Sequence, residues 1–348
     1  MKNRKKRFFT FLMSIVMLFS LNINSFAYTH DYSNDVETIN NFWEFINDDN
    51  WNKWLYTFSE SVRPEYAQLI SIPSNFENNV GILNVKNSKV LNITKAPKES
   101  IPSIYNTITP NLITENTNAY YVTTELEVNA DSDYFSNGEN TYLFTTTSEN
   151  GKSYILTISK VENNIMAREA LGYGFNYVTS EPTSITVKYR NGAIATISMS
   201  DYVFNATCNE IGNENYADAA VIANALAIKM CGWWAKRGHY FPVGGYDIYY
   251  GRVAIDSVNN ASASNQTRIR QLVNSMMSYR ALSSNNMLFF MNYQAGSYNG
   301  NGYHSGEMMQ NGSSYLANQG YTWDQILHYY YDNSSLNNPG VGIITLRR

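Results

Sequence analysis

Apolar residues in the first third of the chain recur at helical spacing. Val36, Ile39, Phe42, Trp43 and Ile46 fall at i, i+3 and i+4 intervals behind Asp35, which reads as an N-cap, and the stretch from Asp35 to Leu69 reads as largely helical. A second run, Trp51 to Ser59, places Trp51, Trp54, Leu55 and Phe58 on one face. From Gly81 the period changes to two. Ile82–Val85, Tyr120–Val128, Thr141–Thr147 and Ser153–Ile158 predict strands, and Asn137-Gly138 and Asn150-Gly151 predict turns, the second as a tight hairpin.

The back half is mixed. Met166 to Phe175, with Gly172 and Gly174, reads as a linker. Thr183–Tyr189 and Ala193–Met199 predict short strands joined by Asn191-Gly192 as a type I′ turn. Ile197 to Ala206 reads as extended, Glu210 falls in a short polar connector, and an alanine-rich helical pattern follows through Ala217, Ala220, Ala223, Ala225 and Ala227. Alanine adds little width, so a neighbouring backbone or a ligand can approach such a helix. Phe241–Gly251 reads as a surface loop. Ser264–Tyr279 predicts a core-covering amphipathic helix, Met287–Met291 an apolar strand, and Gln294–Tyr303 a loop. Two closing helices flank Gln319-Gly320, the second with a capping box at Thr322 and Gln325. The fold class expected is α+β in two domains, 28–165 and 166–348. Helices followed by an antiparallel sheet give the first a pattern that resembles the NTF2-like module, and no chemistry is visible in that half.

Composition adds an address. Lys2, Arg4, Lys5, Lys6 and Arg7 precede the apolar run Phe8–Leu21, and Ser25-Phe26-Ala27 offers small residues two positions apart, so 1–27 reads as a signal peptide and the protein as secreted or wall-associated. The run is short for a permanent span, so a membrane contact is expected only through an uncleaved head. The whole chain has 25 basic and 29 acidic residues; without the five of the head the balance is 20 to 29. From Tyr28 to Ile165 there are 8 basic and 18 acidic residues, a distribution that excludes nucleic acid as a partner, because phosphate binding relies on clustered Lys and Arg. A tyrosine- and asparagine-rich secreted chain is compatible with a carbohydrate substrate. Cys208 and Cys231 form either a disulfide or two separate buried thiols. Two cysteines 23 apart and four histidines make no zinc-ligand spacing, and no metal or cofactor is expected.

Tyr202-Val203, Glu210 eight residues after the tyrosine, and the helix AVIANALAIKMCGW resemble the core motif of the SpoIID/LytB family, the stage II sporulation protein D and amidase-enhancer domains. SGEMMQNGSSYLANQGYTWDQILHYYY, about a hundred residues on, is similar to that family's second segment through Met308, Gln310 and Gly312. The resemblance implies action on cell-wall glycan strands as a lytic transglycosylase, with Glu210 as catalytic acid/base and Tyr202, Asn224, Lys229 and Gln310 as substrate contacts. It equally implies the alternative of a non-catalytic wall-binding protein or an enhancer of a wall amidase. The chain departs from the family at Ile211-Gly212, Ile222, Asn224 and Lys229, and at Glu307 and Met309, which replace a glycine and a serine around Met308.

Hydrolytic glycosidases use two carboxylates. A transglycosylase can use one, because the sugar's own C6 hydroxyl is the nucleophile and a single Glu can give and then take the proton. Glu210 could instead cap the following helix, a task open also to Asn213, Asn215 and Asp218; Glu214 and Asp218 are the alternative second carboxylates, or favour the helix N-terminus. Trp233, Trp234, Tyr246, Tyr249 and Tyr250 stack on sugar rings or pack internally.

Overall fold

The computed structural model describes residues 34–101, 112–161, 180–212, 215–238, 241–256, 258, 261–296, 302–334 and 341–348. The head 1–27, the linker at 166–175, Asn213 and Glu214 lie outside them. The fold is mixed α+β. Helix α1 (Asp35–Asn47) is capped one residue earlier than the pattern predicts, by Asn34, whose Oδ1 accepts from the Glu37 N–H at 2.8 Å. Asp35 is thereby free for another task. Its carboxylate accepts from the Asn118 amide and the Tyr120 hydroxyl, both at 2.9 Å, and from the Ser153 hydroxyl, tying the helix start to the sheet. Helices α2 (Trp51–Leu55), α3 (Arg63–Ser71) and α4 (Pro73–Glu77) follow; α1 and α2 lie on the two predicted apolar runs, the second helical only over Trp51–Leu55.

Strands β1 (Val85–Ala96), β2 (Asn118–Val128), β3 (Gly138–Glu149) and β4 (Lys152–Val161) form an antiparallel sheet in that order. Ile82 belongs to a 3₁₀ turn, Gly81–Asn84, and the real strand after it was missed. The reason is that β1 is an edge, polar on most positions and carrying Lys86, Lys89 and Lys95, a composition that blunts edges and erases the period-two signal. The Asn150-Gly151 hairpin is as expected: Glu149 pairs with Lys152, and both turn residues have positive φ, 53° and 76°. Phe42, Trp43, Trp54, Phe58, Tyr142 and Phe144 fill the core between helices and sheet.

A second core is built on α5 (Met199–Ile211) and α6 (Asp218–Gly238). Before them, β5 (Ser184–Lys188) and β6 (Ile194–Ser198) pair antiparallel, and β7 (Ile248–Tyr249) adds to β5 in parallel. Their link is not type I′: only Gly192 has positive φ, and the Gly192 N–H returns to the Tyr189 carbonyl, a turn closed by a left-handed glycine. Ile197–Ala206 is not extended beyond Ser198. The Ser198 hydroxyl accepts from the Asp201 N–H at 3.0 Å and starts a helix that runs through Glu210. Helix α7 (Ala263–Met276), capped by Ser262, buries Ile269, Val273 and Met276 as its stripe predicts. Met287–Met291 is no strand; Leu288–Met291 are buried, with a single bridge at Leu288, and strand β9 (Asn292–Gln294) begins just after and runs parallel to β10 (Glu307–Met309). Helices α8 (Gln310–Asn318) and α9 (Trp323–Tyr331) follow, the latter with the expected capping box, and β11 (Thr345–Arg347) pairs with β8 (Arg280–Leu282).

Phe241–Gly251 is no surface loop. Residues 242–248 are buried, Val243 sits in the front core, and the Ile82 N–H donates to the Val243 carbonyl at 2.9 Å. The glycine at 245 serves close approach: a Cβ on Gly81 or Gly245 would strike the other segment's backbone, and both have positive φ, 55° and 68°. Gly245→Ala is expected to destabilise by more than the ~1–3 kcal/mol of left-handed strain alone; a thermal melt within 1 °C of wild type would contradict this backbone junction.

Candidate active site

Tyr202, Ala206 and Glu210 lie four residues apart along one row of α5. The first two are fully buried, and Glu210, in the last turn, is where that row meets solvent, half-buried. Glu210 does not cap the next helix. Its Oε1 accepts from the Ala254 N–H at 2.9 Å and its Oε2 from the Gln310 amide at 3.0 Å. An acid at a helix C-terminus opposes the helix dipole, so this placement is not explained by helix stability.

Four elements close around it. Tyr202 from α5, Cys231 from α6 and Tyr293 from β9 all lie within its electrostatic reach. Burial pushes both phenols well above their ordinary range and the Cys231 thiol up as well, so all three are neutral near pH 7. The Tyr293 hydroxyl is buried and, among the described residues, has no hydrogen-bond partner. Arg252, two residues before the Ala254 donor, lies over the rings of Phe290 and Tyr293, at 4.9 and 5.9 Å from their centroids, and donates to the Asn292 side-chain oxygen. Among the described residues its buried Nε has no hydrogen-bond partner, while the guanidinium lies against the Cys231 thiol.

Strand β10 brings a second acid. In register with Asn292, Glu307 accepts from the Asn292 amide through one oxygen and from the Gln294 amide at 2.6 Å through the other. Period two sends Met308 into the core and leaves Glu307 half-buried on the other face. Burial holds the Glu307 carboxyl above the usual carboxylate range, although Arg252 and the two amides pull it the other way. In the sequence Glu307 appeared only as a replaced glycine, and Arg252 and Tyr293 carried no motif at all. The one available signal was spacing, since Glu307 stands three residues before Gln310.

The predicted substrate contacts divide. Gln310 reaches Glu210, as described. Tyr202 is wholly buried and donates to the Ile228 carbonyl at 3.3 Å, its ring lying where a Cβ on Gly232 would be. Asn224 is 1 % exposed and donates to the Ala220 carbonyl and the Ser313 hydroxyl, both at 2.8 Å. Lys229 is 0 % exposed; its ammonium pairs with Glu181 at 2.7 Å and donates to the carbonyls of Met277 and Tyr279 at 2.6 and 2.7 Å. These three are corrected to interior supports, because helix α6 is covered by α5, α7, α8 and α9 and its small residues admit those helices rather than a ligand. Lys229→Ala is accordingly expected to lower the melting temperature by several degrees and leave any substrate KM unchanged; the reverse pattern would restore Lys229 to the binding surface.

Trp233, Trp234 and Tyr246 also pack inside, while Tyr249 and Tyr250 are half-buried, with Arg190 over the Tyr250 ring. Cys208 and Cys231 are separate buried thiols, and burial lifts that of Cys208 to about 11. Asp218, the other suggested second carboxylate, is the first residue of α6 and pairs with Arg268. Among the described residues no group of three His, Cys, Asp or Glu is placed to hold a metal ion, and no helix is long and apolar enough to cross a membrane. No family model and no curated protein matches this chain, so its function is argued from the geometry around Glu210 and from the two motif segments.

Proposed function

We propose that the protein is a secreted enzyme that cleaves cell-wall glycan strands as a lytic transglycosylase, its back half a SpoIID/LytB-like domain and its front half an NTF2-like module. The observation that carries the reading is the hydrogen bond between Glu210 and Gln310 at 3.0 Å, a hundred residues apart and each within one of the two motif segments. In this reading the protonated Glu210 gives its proton to the glycosidic oxygen as the bond from C1 breaks. The resulting carboxylate then takes the proton of the C6 hydroxyl as its oxygen closes on C1, giving a 1,6-anhydro end and regenerating the acid. No water is consumed and no second carboxylate reacts.

A second reading, a non-catalytic wall-binding protein or amidase enhancer, is favoured by a different fact: both oxygens of Glu210 already accept protein hydrogen bonds. Incubating the protein with glycan strands, with and without stem peptides, separates the two. Shortened strands with anhydro-muramyl ends support the enzyme; strands retained on the protein at full length support the binder.

A further inference from the structure

We infer that Asn209 and Gln310 are positioning residues, which clamp the Glu210 carboxylate from two sides and hold it ready for the glycosidic oxygen. This deepens the reading just given and rests on it.

Asn209 directly precedes Glu210 and is half-buried in the last turn of α5. Its amide donates to the carbonyls of Ala254 and Asp256, at 3.1 and 2.8 Å. The Ala254 N–H is the group that binds Glu210 Oε1 at 2.9 Å. Consecutive residues of α5 therefore grip both backbone groups of Ala254, Asn209 its carbonyl and Glu210 its N–H. The far end of the same segment is tied down as well. The Asp256 carboxylate accepts from the Arg190 N–H at 3.1 Å and lies 3.4 Å from the Arg190 guanidinium.

The other oxygen is held from α8. Gln310 donates to Oε2 at 3.0 Å. Its own carbonyl accepts from the Ser313 hydroxyl at 2.6 Å, and Ser313 accepts from the Asn224 amide at 2.8 Å. Ser313 and Asn224 are buried, and a buried polar group costs stability unless it is hydrogen-bonded. Here the two anchor the turn that carries Gln310. At 4 % exposure Gln310 offers little surface to a sugar, so its route to the reaction is through Glu210.

The clamp leaves the acid open. A carboxylate has about four acceptor positions, and Ala254 and Gln310 take one on each oxygen, so each oxygen keeps another for a proton or a substrate hydroxyl. A group fixed before substrate arrives need not be ordered in the transition state.

The test is steady-state cleavage of glycan strands by the full-length protein carrying Asn209→Ala or Gln310→Ala, each alone and combined with Glu210→Gln. Amide hydrogen exchange over residues 249–256 is the second readout. Each single variant is expected to lower kcat by roughly 10–100-fold, with KM within about twofold of wild type. In the Glu210→Gln background neither should slow the residual rate further, because both act through that carboxylate. Exchange at Ala254 should rise in Asn209→Ala. A raised KM at unchanged kcat would make the two residues substrate contacts, and an equal fold-loss in the Glu210→Gln background would make them general supports of the fold; either overturns the inference. If Gln310→Ala does not fold, Asn209→Ala, which removes only a half-buried amide, carries the test. Wild-type protein that cleaves nothing overturns the enzymatic reading instead, and unchanged exchange at Ala254 overturns the clamp by itself.

Discussion

Glu210→Gln is expected to reduce strand cleavage by about 10²–10⁴-fold while leaving the fold intact. The amide cannot supply the proton that the leaving oxygen requires, yet it is the same size and lies half-exposed at the end of α5. Its oxygen can still accept from the Ala254 N–H or from Gln310, so one of the two holding contacts survives. Circular dichroism should be unchanged and the melting temperature should shift by no more than a few degrees. Activity equal to wild type would remove Glu210 from the chemistry, whatever else the protein did to glycan.

Asp247→Ala is expected to cost about 3–5 kcal/mol of stability, measured by urea unfolding, because it strips the acceptor from a buried charged network. Asp247 is 0 % exposed and lies in the connector that joins the two cores. Its carboxylate accepts from the Tyr134 hydroxyl at 2.5 Å and from the Thr186 N–H at 2.8 Å, and lies 3.6 Å from the Lys236 ammonium. Tyr134 belongs to the front core, Thr186 to β5 and Lys236 to α6, so one carboxylate fastens three elements. Lys236 keeps Asp133 at 2.6 Å in the variant, but the half-buried Thr186 N–H and the buried Tyr134 hydroxyl lose their acceptor. A loss below about 1 kcal/mol would mean that the junction is held by the Gly81–Gly245 backbone approach alone.

What the sequence made legible follows from which elements have one wet face. Helix α7 and the hairpin at Asn150-Gly151 are amphipathic or carry their own turn chemistry, and they stand where the pattern puts them. Strand β1 was invisible because an edge strand with lysines on it has no alternation to read. The opposite error occurred at Phe241–Gly251, where glycines and aromatics signalled a loop. There the glycines permit backbone to meet backbone, and Tyr246 is buried while Phe241, Tyr249 and Tyr250 are half-buried.

The site divides in the same way. Glu210 was legible as a residue but not as part of a helix, since Ser198 as a cap overrides the β-branched and aromatic residues that suggested a strand. Lys229 and Asn224 were expected as substrate contacts from the family resemblance of their helix. Their helix is covered by four others, and their polar atoms are satisfied by backbone carbonyls, Glu181 and Ser313, apart from the buried Asn224 oxygen, which has no partner among the described residues. Arg252 carried no spacing signal, because its contacts cross from the connector to β9, and Asn292 there links it to Glu307 on β10.

The most direct test of the central claim is mass spectrometry of the ends made when the full-length protein digests glycan strands in ¹⁸O-labelled water. The account predicts new 1,6-anhydro-muramyl ends without heavy oxygen, at a rate that collapses in Glu210→Gln. Reducing ends carrying ¹⁸O, or no new ends at all, would contradict it.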